Sequence, residues 1–254
     1  MARTIIDLSD CISNDTSAFE PNPHAITYVT HEQALAMVTK YGLLPEFFVP
    51  GHAWAVENVT LSTHSGTHVD APYHYAPTSG GAPARTIDQL PLEWFYSAGV
   101  LLDMRHKPAG GGITAEDVQT ELARIGHTIQ PLDIVLVWTG ASRYFGEAGY
   151  DQRHAGLRRD ATRWLVEAGV KVIGIDAWGL DRPFLVMAQE AAAGNPAQFW
   201  ESHFYGIERE YCQIERLANL DRLPRPTGFR VSCFPYNIGG ASAGWTRAVA
   251  IVED

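Results

Sequence analysis

The sequence predicts an α/β fold: a single compact domain over residues 1–254, with a mixed, mostly parallel β-sheet core flanked by helices. Three observations predict it. Continuous Val- and Ile-rich runs bounded by Gly, Pro or Asp recur at residues 99–103 (GVLLD), 133–138 (DIVLVW), 170–176 (VKVIGID) and 247–252 (RAVAIV), the pattern of strands covered on both faces. Capped helical segments fall between some of them. Residues 132–176 run strand, loop, helix, strand, the order of a βαβ unit.

The elements follow in chain order. Thr30 and Gln33 form a capping box for a helix through Lys40. Residues 58–62 (NVTLS) read as a strand. Residues 110–112 follow Pro108 and read as a glycine loop. Thr114 caps a helix through Arg124, with Asp117 near its positive end. Asp160 is placed to cap residues 161–168, with Gly169 as the stop. Residues 229–234 (FRVSCF) add a further strand. Residues 10–30, 73–90 and 177–199 show little regular pattern. Long loops in a compact domain are functional or disordered, and the aromatic and Pro content here favours ordered loops that line a site. No repeat, low-complexity tract or linker marks a domain boundary.

Composition excludes several classes. Lys and Arg total 19 against 29 Asp and Glu, a net charge of −10. Such a surface repels phosphate backbones and anionic headgroups, so neither nucleic acid nor a membrane is the expected partner. No apolar run approaches the ~20 residues of a spanning helix, and the opening MARTIIDLSD has no signal-like apolar region. Cys11, Cys212 and Cys233 are scattered and odd in number, which suggests a reducing compartment, the cytoplasm, and no disulfide framework.

The chemistry concentrates in residues 63–75, THSGTHVDAPYHY, which hold His64, His68, Asp70 and His74. Imidazoles and a carboxylate at this density suit a divalent transition metal. On a straight strand His64 and Asp70 would stand roughly 20 Å apart at ~3.3 Å per residue, too far to share one ion. A helix is opposed by Gly66, two β-branched residues and Pro72. The chain must therefore bend, and Ser65–Gly66 supplies the bend. The plain alternative is a histidine-rich loop without a metal. A second cluster, His203, Glu208, Glu210 and Glu215, offers further candidate ligands. There Glu208 and Glu210 read as a solvated helix face. Asp176 ends a buried strand and reads either as a residue facing a ligand crevice or as a turn former. No Walker loop or post-strand GxGxxG is present.

These residues resemble a known family. HSGTHVDAPYH at residues 64–74 is similar to the HxGTHxDxPxH signature of the cyclase family of metal-dependent hydrolases, which includes bacterial kynurenine formamidase and isatin hydrolase. Asp7–Ser9 (DLS), residues 174–176 (GID), 219–224 (NLDRLP) and 240–251 (GASAGWTRAVAI) extend the resemblance over nearly the whole chain. IERLANL and SCFPY lean towards the isatin-hydrolase side. The resemblance implies that His64, His68 and Asp70 bind metal and that His74 transfers a proton. In the formamidase branch a second zinc is held by the bridging aspartate, here Asp70, with a later His and Glu twelve residues apart; His203 and Glu215 match that spacing. The isatin-hydrolase branch carries one manganese. The implied cofactor is thus Mn2+ or Zn2+, one or two per chain. The formamidase branch has a Trp near its N-terminal substrate loop, where this chain offers Phe19. Family members are commonly homodimers or larger, so a homodimer or homotetramer is expected.

The expected activity is hydrolysis by metal-activated water of a small cyclic or aromatic amide, imide or lactone, with an arylformamidase acting on N-formylkynurenine and a metal-dependent lyase or cyclase as the alternatives. A metal binder without turnover is the reading outside enzymes, and it leaves His74 without a purpose. Phe19, Trp54, Tyr73 and Trp178 are candidate substrate contacts. An extended run past Pro72 would carry His74 roughly 13 Å from Asp70 at ~3.3 Å per residue, whereas a turn would return it. Either way it is the hardest of the four to place on the ion, which favours a position over the leaving group.

Overall fold

Three of the four apolar runs, residues 99–103, 133–138 and 170–176, meet at the centre of one sheet, and the fourth, residues 247–252, lies next to its edge. The structure, a computed structural model, describes residues 3–19, 23–49 and 51–253, and the side chains of Ala18 and Phe19 lie outside the described set. Its described residues form two compact units, Met1–Cys11 with Thr63–Asp254, and Ile12–Ser62. In the larger unit nine strands pair: β1 (Arg3–Asp7), β2 (His68–Asp70), β3 (Tyr96–Asp103), β4 (Ile134–Trp138), β5 (Val172–Ile175), β6 (Cys212–Glu215), β7 (Phe229–Ser232), β8 (Ala243–Trp245) and β9 (Val249–Glu253). Their order is β1-β9-β7-β3-β4-β5-β6-β2-β8. The core β3-β4-β5-β6 is parallel. The flanks are antiparallel, which makes the sheet mixed.

The strand period of two explains why the central runs are apolar throughout. Val100, Leu102, Val135, Val137, Ile173 and Ile175 enter one core cluster, with Val118 and Leu122 of the helix Ala115–Ile125 and Ala161 and Leu165 of the helix Arg159–Glu167. Leu101, Ile134, Leu136 and Val172 enter a second cluster on the other face. That cluster is completed by Phe229 and Val231 of β7, Ala250 and Val252 of β9, and Ile87, Trp94 and Phe95 of short 3-10 turns. Helices thus cover one face, and the curl of the sheet covers the other.

Thr114 caps its helix as expected, and Asp117 returns the bond to complete a capping box. Asp160 does not cap its helix. Arg158 stands at that N-cap, and the Asp160 carboxylate instead accepts the Ala115 N–H at 3.0 Å, tying two helix starts together. Within residues 177–199 the helix Phe184–Ala192 was not legible as an element. It has no side-chain cap, and of its nine residues Met187 alone is buried, so no amphipathic period marks it.

In the smaller unit, Ala25–Val29 and Val56–Thr60 pair antiparallel. The second strand lies two residues earlier than residues 58–62, since its register is set by the partner strand. The helix His31–Met37 starts from the Thr30–Gln33 box and tightens into a 3-10 turn over Val38–Tyr41. Trp54 packs edge-on to Tyr41 and Phe48 there.

Candidate metal centre

β2 is the strand that organises the site. It lies between β6 and β8, with Glu215 opposite His68 and Gln213 opposite Asp70. Residues two apart share a face, and residues directly opposite share it too. His68, Asp70 and Glu215 therefore project together, at the carboxyl end of β6, where ligands of α/β sheets bind.

The neighbours arrive through two short turns. Gly66, at φ 61, takes the left-handed conformation that a side chain resists. The turn returns His64 to Asp70, with Nδ1 2.8 Å from Oδ1. Beyond Asp70, Pro72 opens the one-turn helix Pro72–Tyr75, where its missing N–H costs nothing. His74 is thereby carried back, not along an extended run, and its Nε2 stands 4.0 Å from Asp70 Oδ2. The His64 and His74 rings are 4.1 Å apart. His68 Nε2 lies 3.2 Å from Asp70 Oδ1 and 3.6 Å from Glu215 Oε2.

His203 reaches the same space from the helix Glu201–Tyr205, with Nε2 3.9 Å from Glu215 Oε1. Two donor groups result, His64–Asp70–His74 and His68–Asp70–Glu215, each with its atoms within 4.8 Å and both sharing Asp70.

The donor set fits a divalent cation. His68 Nε2 and both Asp70 oxygens are fully buried without a hydrogen-bond partner. Unpaired buried groups of this kind are costly, and here they converge on one another. The electrostatics agree. Burial alone would raise Asp70, but His74 and His68 outweigh it and hold its carboxyl well below the usual range. Burial, with the Asp70 charge beside it, pushes Glu215 up. Burial works against charging His68 and His203, yet Asp70 and Glu215 raise the first and Asp181 raises the second. Burial drives His74 down to about 4, so it is neutral at neutral pH.

Three of the four histidines are anchored at the nitrogen that faces away. His64 Nε2 is 3.0 Å from Ser242 Oγ, His68 Nδ1 donates to the Gly66 carbonyl at 2.8 Å, and His203 Nδ1 is 2.5 Å from Asp181 Oδ2. Metal-binding imidazoles are held in this way. Among the described residues His74 makes no side-chain hydrogen bond; rings of His64, Tyr75, Trp200 and His203 surround it.

The other sequence candidates fall differently. Asp176 is the turn former of the two readings: it accepts from Thr139 N and Oγ1 at 2.7 Å and from Gly140 N at 2.8 Å. Glu208 lies on a turn after the helix and Glu210 on the chain leading into β6, neither on a helix face, and they pair with Arg159 and Arg85. Tyr73 is 47% exposed. Trp178 lies under the Arg216 guanidinium at 4.0 Å. Trp54 belongs to the Ile12–Ser62 unit, and the Phe19 side chain lies outside the described residues. Sequence reasoning missed Asp181, Ser242, Tyr75 and Trp200. Tyr75 meets His203 edge-on at 5.3 Å, and Trp200 stacks on it at 4.2 Å with rings 14° from parallel. Trp200 carries one signal visible only in three dimensions, a left-handed φ of 54 in a non-glycine residue.

Fold and site together define an α/β protein with a buried, carboxylate-centred His/Asp/Glu cluster suited to a divalent metal. Comparison with known proteins agrees. The family described as "Putative cyclase" matches residues 6–182. Cyclase-like protein 1 of Arabidopsis thaliana is 30% identical over 200 residues, 77% of this chain and 69% of that protein. A kynurenine formamidase of Erythrobacter litoralis is 30% identical over 197 residues, 76% of each. In three dimensions the fold is that of isatin hydrolase A from Ralstonia solanacearum, with a TM-score of 0.76 at 23% identity over 99% of this chain and 92% of that one. The chain belongs to the cyclase family.

Proposed function

We propose that the protein is a metal-dependent hydrolase that opens a small cyclic or aromatic amide, imide or lactone, acting above all on amide C–N bonds. The observation that carries this is the set of His64, His68, Asp70 and Glu215 donors around the buried Asp70 carboxylate, beside one histidine, His74, that lacks an anchor. His64, His68 and Asp70 would hold a divalent cation, Mn2+ or Zn2+, and Glu215 and His203 would complete the site for one or two ions. A cation held there supplies Lewis acidity, polarising a carbonyl and lowering the pKa of coordinated water.

The chain's own residues do the rest. Asp70 neutralises positive charge on both sides of the site. His74, neutral at neutral pH, accepts a proton from water at Nε2 and delivers it to the leaving nitrogen or alkoxide. A ligand imidazole is held by a hydrogen bond at its far nitrogen, and the missing anchor on His74 supports the role of proton carrier. Phe19, Trp54, Tyr73 and Trp178 are the proposed substrate contacts.

A second reading, arylformamidase acting on N-formylkynurenine, is supported by the relative that carries the name kynurenine formamidase. Metal analysis of the purified chain, followed by a panel of isatin, N-formylkynurenine and small lactones, tests both. We expect at least one Mn or Zn per chain and ring opening as the fastest reaction. Faster deformylation selects the second reading, ring closure or elimination selects a lyase or cyclase, and a chain with neither metal nor turnover overturns all three.

We further propose that residues 1–254 serve as one catalytic domain and that the chain forms a homodimer or homotetramer. The solvent-exposed Tyr28, Val56 and Val59 on the hairpin of the smaller unit support assembly. Cys11, Cys212 and Cys233 are not joined in a disulfide, which supports a cytoplasmic location.

A further inference from the structure

One two-residue segment touches both of the distant candidate ligands. The Leu180 N–H donates to Glu215 Oε1 at 3.2 Å, and the Leu180 carbonyl accepts from the Leu157 N–H at 2.8 Å. Next to it, Asp181 Oδ1 accepts the Ser202 N–H at 2.7 Å, while Oδ2 accepts the His203 N–H at 3.2 Å and faces His203 Nδ1 at 2.5 Å. Asp181 is 3% exposed. Its backbone is clamped, because a Cβ on residue 156 would stand 2.1 Å from the Asp181 carbonyl carbon, and Gly156 alone admits so close an approach.

An ionised carboxylate accepts hydrogen bonds and donates none. Facing one, His203 Nδ1 carries the proton, and the Nε2 lone pair is left on the side of Glu215. Trp200, stacked on the same imidazole at 4.2 Å, blocks rotation of the ring. We propose that Asp181 is the positioning residue of this half of the site: it holds His203 in the Nδ1–H form with Nε2 turned to the metal, while its neighbour Leu180 orients Glu215. The proposal rests on the reading of His203 and Glu215 as ligands. Partners of this kind change metal affinity about 10–100-fold.

The test is Asp181→Asn in the full chain, with Zn2+ as the probe. The amide retains an oxygen for the Ser202 N–H but offers donors to His203 Nδ1, so the proton moves to Nε2. Long-range proton–nitrogen NMR reads the tautomer, and competition titration reads the affinity. We expect wild type to hold the Nδ1–H form, and D181N to shift to Nε2–H and bind the weaker-held Zn2+ about 10–100-fold less tightly. A lowered melting temperature with tautomer and affinity unchanged would make Asp181 only a cap for the short helix, and would overturn the proposal. His203→Ala, run in parallel, separates the two claims. If it binds Zn2+ as wild type does, His203 is no ligand and the underlying reading fails. If it loses Zn2+ and D181N does not, the positioning role alone fails. Should D181N not fold, Asp181→Glu takes its place: it must keep the Nδ1–H form and still lose affinity, and wild-type affinity there overturns the proposal.

Discussion

The two halves of the candidate metal centre are built by different means. His64, His68, Asp70 and His74 come from eleven consecutive residues, folded together by a left-handed glycine, a three-residue strand and a one-turn helix opened by proline. His203 and Glu215 arrive from the far side of the sequence. Glu215 is placed by the pairing of β6 with β2, and His203 by a short helix tied to Asp181. The first half depends on local backbone geometry and the second on the register of the whole sheet. A one-residue slip of β6 would turn Glu215 to the opposite face, while the first half would keep its shape.

The largest effect should come from Asp70, the residue both donor groups share. Asp70→Ala is expected to strip the metal from either donor group and to lower kcat/KM by ~10³-fold or more, since several kcal/mol of Lewis-acid stabilisation is lost. Metal analysis and initial rates check it, and retained metal would show that one half suffices alone. His74→Ala is next. It should keep its metal and a KM within a few-fold while kcat falls about 10²–10⁴-fold. Lost metal in that variant would move His74 among the ligands.

Acid should act on the fold as well as on the site. The buried His154 is held down to about 4 by burial, against an ordinary 6.5. Between those values the unfolded chain binds a proton that the folded chain refuses. Its contribution to stability should therefore be level above pH 6.5 and fall on acidification towards pH 4, by about 3 kcal/mol at 1.36 kcal/mol per unit. Denaturant midpoints of wild type and His154→Gln across this window check it, with the variant expected to be flatter. Metal loss in acid, from protonated imidazoles, should persist in that variant and so be separable from unfolding. The smallest effect concerns the local half. Ser242→Ala removes a neutral hydroxyl beside His64, not a carboxylate, and should weaken Zn2+ by about tenfold or less, read by the same competition titration. A loss equal to that of D181N would erase the contrast between the halves.

What could be read in advance followed how local each feature is. The central strands were legible because burial on both faces makes their runs apolar, and the Thr30 box and the Thr114 cap because a cap and its partner lie within three residues. Asp160 misled because its side chain found a distant N–H, that of Ala115, which no local pattern reveals. The helix Phe184–Ala192 stayed hidden because it buries too little to impose a period. At the site, residues 64–74 declared themselves, since four metal-capable side chains around a glycine leave few other purposes.

The sequence by itself thus determined the α/β class, the location of the donor cluster and the need for a bend at Ser65–Gly66. Only the tertiary structure decided that Pro72 turns His74 back towards Asp70, that Glu215 faces His68 and that Asp181 holds His203. The physical reason is one of range. Backbone preferences and caps act over three or four residues and are written in neighbouring letters, whereas the partner of a buried carboxylate is chosen by sheet register and loop packing, which no stretch of adjacent residues encodes.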